Sequence, residues 1–176
     1  MSGTRIILGS LIAASVRHGI FTIALPWLIL YQAAGMEEMG FDSGYPSAGS
    51  VFILLGAALY IRAFAERLRM TAMVSASSGT FEDSGAKDPR PVWSEGIHGW
   101  SRNPLQLGVV VILFGESLAF ESLLLLVYAV MYWAWTTLYL IFAEEPVLRR
   151  TLGDEYTAYC RHVPRWFLPF RFRKSA

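Results

Sequence analysis

Four long apolar runs constrain what this chain can fold into more than any other feature. They cover Ile6–Tyr31, Ser47–Phe64, Leu105–Phe120 and Leu123–Ala143. A bilayer crossing takes about 20 mainly apolar residues, so a chain of 176 residues has room for four or five crossings and little besides. Inside lipid the backbone has no water to bond, and runs of this length must satisfy themselves as helices. Composition agrees: 16% of residues are charged and mean hydropathy is +0.40, against roughly 25% charged in a soluble domain. The expected fold class is all-α: a polytopic transmembrane helical bundle of about four spans with a C-terminal cytoplasmic helical segment. Residues 1–70 supply transmembrane helices 1 and 2. Residues 71–176 supply a transmembrane hairpin of helices 3 and 4 and a tail, all within one functional unit.

Local signals set the boundaries. Arg5 ahead of an apolar stretch resembles a signal peptide, but Arg17 and His18 interrupt the run without a clean cleavage site, so it reads as a retained span. Pro26 lies near its far end. The linker Gln32–Pro46 is acidic, with Glu37, Glu38 and Asp42. The second run closes on Arg62, Glu66, Arg67 and Arg69, and the stretch Ser75–Trp93 is rich in Ser, Gly, Asp and Pro and reads as a loop. Asn103 followed by Pro104 looks like a helix start, with Asn103 capping free amides and Pro104 at the first helical position. Helix 3 then covers only 16 residues, Glu121-Ser122 makes a tight connection, and helix 4 ends at Glu144-Glu145-Pro146. Seven basic residues follow: Arg149, Arg150, Arg161, Arg165, Arg171, Arg173 and Lys174. With four spans, this tail and the basic end of helix 2 share one side. The positive-inside rule places that side, both termini and the active site in the cytoplasm.

Two polar features would meet at the mouth of the hairpin. Arg102-Asn103-Pro104-Leu105-Gln106-Leu107-Gly108 opens helix 3, where unpaired amides and the helix dipole suit a carboxylate or phosphate. Gly108 and Gly115 lie two turns apart on one face, so a ligand or a neighbouring helix can approach closely. Glu144 and Glu145 end helix 4, where two carboxylates at a membrane boundary favour a cationic ligand. A net charge of +1 gives no reason to expect a nucleic-acid partner. The single cysteine, Cys160, excludes an intrachain disulfide framework, and no histidine and carboxylate spacing indicates a metal site.

At these residues the chain resembles a known superfamily. The string RNPLQLG with a glycine seven positions later, about 20 apolar residues, and then EEPVLRRTLGDEYTAYCRHVPRWFLP is similar to the C-terminal signature of the isoprenylcysteine carboxyl methyltransferase and phospholipid methyltransferase superfamily. The resemblance covers about residues 90 to 169. It implies that S-adenosylmethionine lies over the helix 3 and 4 hairpin, with Arg102, Glu144 and Glu145 in catalytic roles. The implied cofactor-binding set is Arg102, Asn103, Pro104, Leu105, Gln106, Gly108, Glu144, Glu145, Tyr156 and Tyr159. On this reading the cofactor carboxylate faces Arg102 and the helix 3 amides, and its ammonium faces Glu144 or Glu145. Arg102 also seats the C-terminal segment, Tyr156 and Tyr159 line the adenosine or form a lid, and Pro164 and Trp166 anchor at the membrane interface. The implied partners are membrane lipids and a lipidic or prenylated acceptor.

Three departures bear on the acceptor. Gln106 stands where the family usually has Tyr, and His98 stands where the segment before the motif often has Tyr. Tyr139 and Leu140 occupy the region where the isoprenylcysteine branch is expected to carry an Arg, which argues against carboxyl methylation. Other signals have ordinary readings beside the functional ones. Arg17 and His18, costing about 2.5 to 3.5 kcal/mol for a charge at a span centre, either face a polar interior or snorkel. Glu116 fits a site near the outer interface, and the aromatic cluster Tyr128, Tyr132, Trp133, Trp135 and Tyr139 fits packing. Two rival functions stand beside methyl transfer. A sterol-reductase-like enzyme would need a basic NADPH pocket, against which the acidic pair argues; a non-catalytic membrane protein could keep the fold.

Overall fold

The computed structural model describes residues 16–33, 46–77 and 96–166. Among these, all regular structure is helical and no strand occurs. Helix α1 is described over residues 16–33, with a π-helical turn at Ile20–Ala24 leading into Leu25–Ala33. Helix α2 covers Pro46–Ser77, and a 3-10 turn occupies Gly96–Gly99. Helix α3 is Pro104–Ala119 and α4 is Leu123–Tyr139, which passes through a second π turn at Leu140–Glu144 into α5, Glu145–His162. Among the described residues, two stretches are long and apolar enough to cross a bilayer, Ser47–Arg69 and Leu123–His162. The 16 residues of α3 rise about 24 Å at 1.5 Å each, short of the roughly 30 Å hydrocarbon layer.

Helices α2 and α3 run antiparallel against each other through four glycines. A Cβ on Gly56 would lie 2.8 Å from the carbonyl oxygen of Gly108, and one on Gly108 would lie 2.9 Å from that of Gly56. Further along, a Cβ on Gly115 would lie 2.7 Å from the amide nitrogen of Ile53, while one on Gly49 would collide with the backbone of Ala119. Both glycine pairs are seven residues apart, so they line one stripe on each helix, and the backbones meet with no side chain between them. Next to this seam, Val109, Leu113 and Ala129 form a buried cluster against Tyr60, Phe114, Tyr128 and Tyr132. Around the outside, Ile23, Trp27, Leu54, Leu55, Met131, Trp135 and Phe142 are exposed. A surface of that kind suits lipid and not water.

Both π turns have one local cause. Each ends two residues before a proline, Pro26 in α1 and Pro146 in α5, and the residue between donates its N–H five positions back: Leu25 to Ile20 and Glu145 to Leu140. A proline inside a helix lacks an N–H and clashes with the carbonyl four residues earlier; widening the preceding turn makes room. In α1 the consequence is visible. The Phe21 carbonyl loses Leu25 to Ile20 and finds no donor on Pro26, and the Tyr128 hydroxyl bonds it at 2.8 Å. The link docks α1 on α4, beside the bond of 3.2 Å between buried His18 and the Tyr60 hydroxyl on α2.

Three boundaries differ from the sequence-based expectation. α2 continues past the apolar run that ends at Phe64 and through the basic cluster to Ser77, into the stretch from Ser75 that reads as a loop: Arg62, Glu66, Arg67 and Arg69 are good helix formers and Arg62 pairs with Glu66 one turn on; leaving lipid does not end a helix. The helix containing α4 does not end at Glu144-Glu145-Pro146 but runs on to His162, since the π turn accommodates Pro146. The real interruption is Gly153, at φ 58° and ψ −131°, a conformation open essentially to glycine alone. Last, Asn103 precedes α3 but its side chain bonds none of the helix amides. The acidic linker and the polar loop lie outside the described residues, apart from the helical 32–33, 46 and 75–77.

Candidate functional site

A cavity of about 300 Å³ opens where the end of α2, the start of α3 and the α4–α5 junction come together. Nine of the residues expected at a site line it: Arg102, Asn103, Pro104, Leu105, Gln106, Glu144, Glu145, Tyr156 and Tyr159. The tenth, Gly108, is elsewhere: it lies against Gly56 and Tyr60 in the α2–α3 seam. The geometry answers which neighbour that glycine admits, and it is a helix. Ala63, Arg67, His98, Leu140, Leu148 and Leu152 complete the wall. The sequence held a weak signal for Ala63 and Arg67: Gly49, Gly56 and Ala63 repeat every seven residues, and Arg67 is one further turn along that face.

The paired glutamates separate into two environments. Glu145 is nearly enclosed, with its side chain 10% exposed, and both of its oxygens are taken. Arg165 donates from Nε to Oε1 at 2.6 Å and from Nη2 to Oε2 at 3.1 Å, a bidentate pair; Arg102 Nη1 donates to Oε1 at 3.2 Å. Burial alone would raise the Glu145 carboxyl, but the Arg165 hydrogen bonds and the Arg102 charge outweigh it and hold it below the usual carboxylate range. The same hydrogen bonds raise Arg165 in turn. Glu144 has no hydrogen-bond or ion-pair partner among the described residues. Burial raises its carboxyl, with Arg67 and Arg17 acting in the opposite direction.

Glu145 belongs to a strap formed by the tail. Val163 leaves α5 in an extended conformation, and the next residues bond back across the entrance of α3. The Arg102 N–H donates to the Pro164 carbonyl at 3.0 Å. Ser101 Oγ and Asn103 Nδ2 donate to the Arg165 carbonyl at 3.2 Å and 3.1 Å. The Asn103 side chain is thus held toward the tail through Nδ2, and it bonds no α3 amide. Arg102 Nη1 also donates to Cys160 Sγ at 2.9 Å, and Trp166 meets Trp133 edge-on, with ring centres 6.4 Å apart. Arg102 thus seats the C-terminal segment, while its Nε is buried without a partner.

The remaining wall is aromatic and aliphatic. Tyr156, Tyr159 and Val163 pack with Leu148 and Leu152, which Gly153 permits by breaking α5 between them. Burial pushes Tyr156 up to about 12 and raises Tyr159 as well, so both hydroxyls stay protonated. That of Tyr159 donates to the His98 carbonyl at 2.7 Å. The site therefore offers one unpaired carboxylate, one guanidinium with a spare donor, the amide end of a helix and a mainly apolar wall. Such a combination suits a small zwitterionic ligand that also carries an apolar part.

Comparison with known proteins gives one match. The description of the phospholipid methyltransferase family fits residues 49–155, from the first glycine of the α2 stripe through Glu144, Glu145 and the Gly153 break. No curated protein and no solved structure shows significant similarity to the chain. The match takes in more than half of the 176 residues and includes α2 from Gly49 onward and α3 and α4 whole, so the chain belongs to the phospholipid methyltransferase family.

Proposed function

We propose that this protein is an integral membrane methyltransferase that uses S-adenosylmethionine to methylate a lipidic acceptor at the cavity between α2, α3 and α5. The observation that carries the reading is the division of labour between the glutamates: Glu145 is saturated by Arg102 and Arg165, and Glu144 is left unpaired on the cavity wall. A half-buried carboxylate without a partner favours a cationic ligand. The residues fit the donor on two further counts. Arg102 Nε is buried without a partner, and the α3 N-terminus supplies amides for a carboxylate.

When bound, S-adenosylmethionine supplies an electrophilic sulfonium methyl. The chain's own residues do the rest. Glu144 would face the donor's ammonium, Arg102 and the α3 amides would hold its carboxylate, and Tyr156, Tyr159, Leu148 and Leu152 would keep water away. Placement in a dry site is a large source of rate in a transfer that needs no covalent enzyme intermediate. Positive-inside asymmetry puts this mouth and both termini in the cytoplasm, and the exposed apolar belt lets an acceptor arrive from within the bilayer.

Thermal unfolding of the detergent-purified protein tests the reading. S-adenosylmethionine or S-adenosylhomocysteine should raise the midpoint and NADPH should not. Stabilisation by NADPH alone would overturn the methyltransferase assignment, and no response to any of the three would support a non-catalytic role.

A further inference from the structure

His98 lines the cavity, yet neither the binding of a zwitterionic donor nor the tail strap uses its side chain. It stands in the Gly96–Gly99 turn, which is anchored twice through its main chain. The Ile97 N–H donates to Glu66 Oε2 at 3.1 Å, and the His98 carbonyl accepts from Tyr159 on α5. Glu66 is itself buried on α2, 8% exposed. The turn fits closely over it: a Cβ at Gly96 would fall 2.5 Å from Glu66 Oε1. His98 Nδ1 lies 3.5 Å from Glu66 Oε2, an ion-pair distance longer than a made hydrogen bond, and Nδ1 is buried with no other partner.

That placement selects a tautomer. With Nδ1 buried against a carboxylate, the proton of the neutral ring belongs on Nδ1, leaving the lone pair on Nε2. We propose that His98, positioned by Glu66, is the proton acceptor in transfer to a lipid amine, which arrives protonated. The proposal rests on the methyltransferase reading above. A lipid ammonium gives one proton to His98 Nε2. The freed nitrogen lone pair then forms the new N–C bond as the S–C bond of the donor breaks, its electron pair staying on sulfur. The products are a methylated ammonium, a neutral thioether and a protonated imidazole, which returns its proton to water. A carboxylate acceptor has no proton to lose and would give a base at this position nothing to do.

The charges around the ring favour this role. On α2, Glu66 stabilises the protonated imidazole, Arg67 opposes it, and Arg62 is already paired with Glu66 at 2.6 Å. On the α3 side Arg102 is committed to Glu145, and on α5 Tyr159 contributes a neutral hydroxyl. Burial sets the resting ring below its ordinary value, so it is neutral and able to accept at neutral pH.

The test uses the full chain in mixed micelles with phosphatidylethanolamine as the amine probe and a prenylcysteine analogue as the carboxylate probe. His98→Gln should lower transfer to the amine at pH 7 by about 100-fold or more, the usual contribution of a positioned base, with stabilisation by S-adenosylmethionine unchanged. The deficit should narrow as pH rises and the amine loses its proton unaided. Imidazole added to His98→Ala should restore part of the rate, and Glu66→Gln should move the acidic limb of the pH profile to lower pH. A His98→Gln protein that binds the cofactor and transfers at the wild-type rate overturns the proposal. So does a wild-type protein that methylates only the prenylcysteine carboxylate. A wild-type protein that neither binds the cofactor nor transfers to either probe would instead fail the methyltransferase reading, and the proposal with it.

Discussion

The α2–α3 seam and the cavity at its end are built from the same two helices by opposite means. In the seam, Gly49, Gly56, Gly108 and Gly115 bring backbones together, and shape alone decides what fits. At the mouth, Arg102, Glu145 and Arg165 fix the chain through directed charged bonds, while Glu144 and the Nε of Arg102 keep spare capacity. The difference separates the part of the fold that packs from the part that keeps polar groups open. A lipid-embedded interface gains from close packing and has nothing left over, whereas the polar end saturates one carboxylate to hold the frame and leaves its neighbour open.

Substitutions should break the two regions differently, and the seam should fail first. Gly56→Leu would force a side chain where a Cβ already lies 2.8 Å from the Gly108 carbonyl and the Ile112 amide. Neither backbone atom can move aside alone, so the expected result is no folded protein recovered from detergent, read by size-exclusion chromatography. Glu145→Ala should rank next, lowering stability by about 3 kcal/mol, because Arg102 and Arg165 are left enclosed without their counterion. The sign of its pH dependence follows from the depressed carboxyl. Its contribution is complete above the ordinary carboxylate value of about 4.3 and is lost as pH falls through the lower folded value. Unfolding midpoints of wild type and Glu145→Gln should therefore converge in acid. Gly153→Ala should cost about 1 to 3 kcal/mol through backbone strain, since a Cβ there meets nothing.

Smallest on stability, and most informative about the comparison, is Glu144→Ala. Its carboxylate has no partner to lose, so stability should change by less than about 0.5 kcal/mol, while stabilisation by S-adenosylmethionine disappears. In the wild type, cation binding favours the ionised carboxylate. Affinity should then be constant above the raised Glu144 value and fall about tenfold per pH unit below it, a slope that calorimetric titration can follow and that Glu144→Gln should flatten. Normal cofactor binding by Glu144→Ala would move the open carboxylate to another residue.

Much of this molecule is legible along one dimension. Apolar run lengths gave the helices, Asn103-Pro104 marked the start of α3, and the seven-residue step from Gly108 to Gly115 marked a face of close approach. Those features depend on neighbours within a turn or two. The matching step from Gly49 to Gly56 was equally visible, but nothing in the sequence said that the two stripes face each other. The helices ran on past the apolar run at Phe64 and past the expected end at Glu144-Glu145-Pro146, because loss of hydrophobicity ends a span without ending a helix.

The sequence by itself determined that the chain lives in a membrane as a helical hairpin assembly, because burying an unpaired backbone in lipid leaves few alternatives. It also singled out Arg102 and the paired glutamates, which the fold brings to one cavity wall. Only the tertiary structure decided which glutamate does what. Successive helical residues point about 100° apart, and the π turn that Pro146 imposes inserts a residue and rotates the face that follows. Glu145 meets Arg102 and Arg165, 43 and 20 residues away, and its neighbour stays open to the cavity. Pairing at such separations depends on where helices pack and turn, and that information is not carried by local order along the chain.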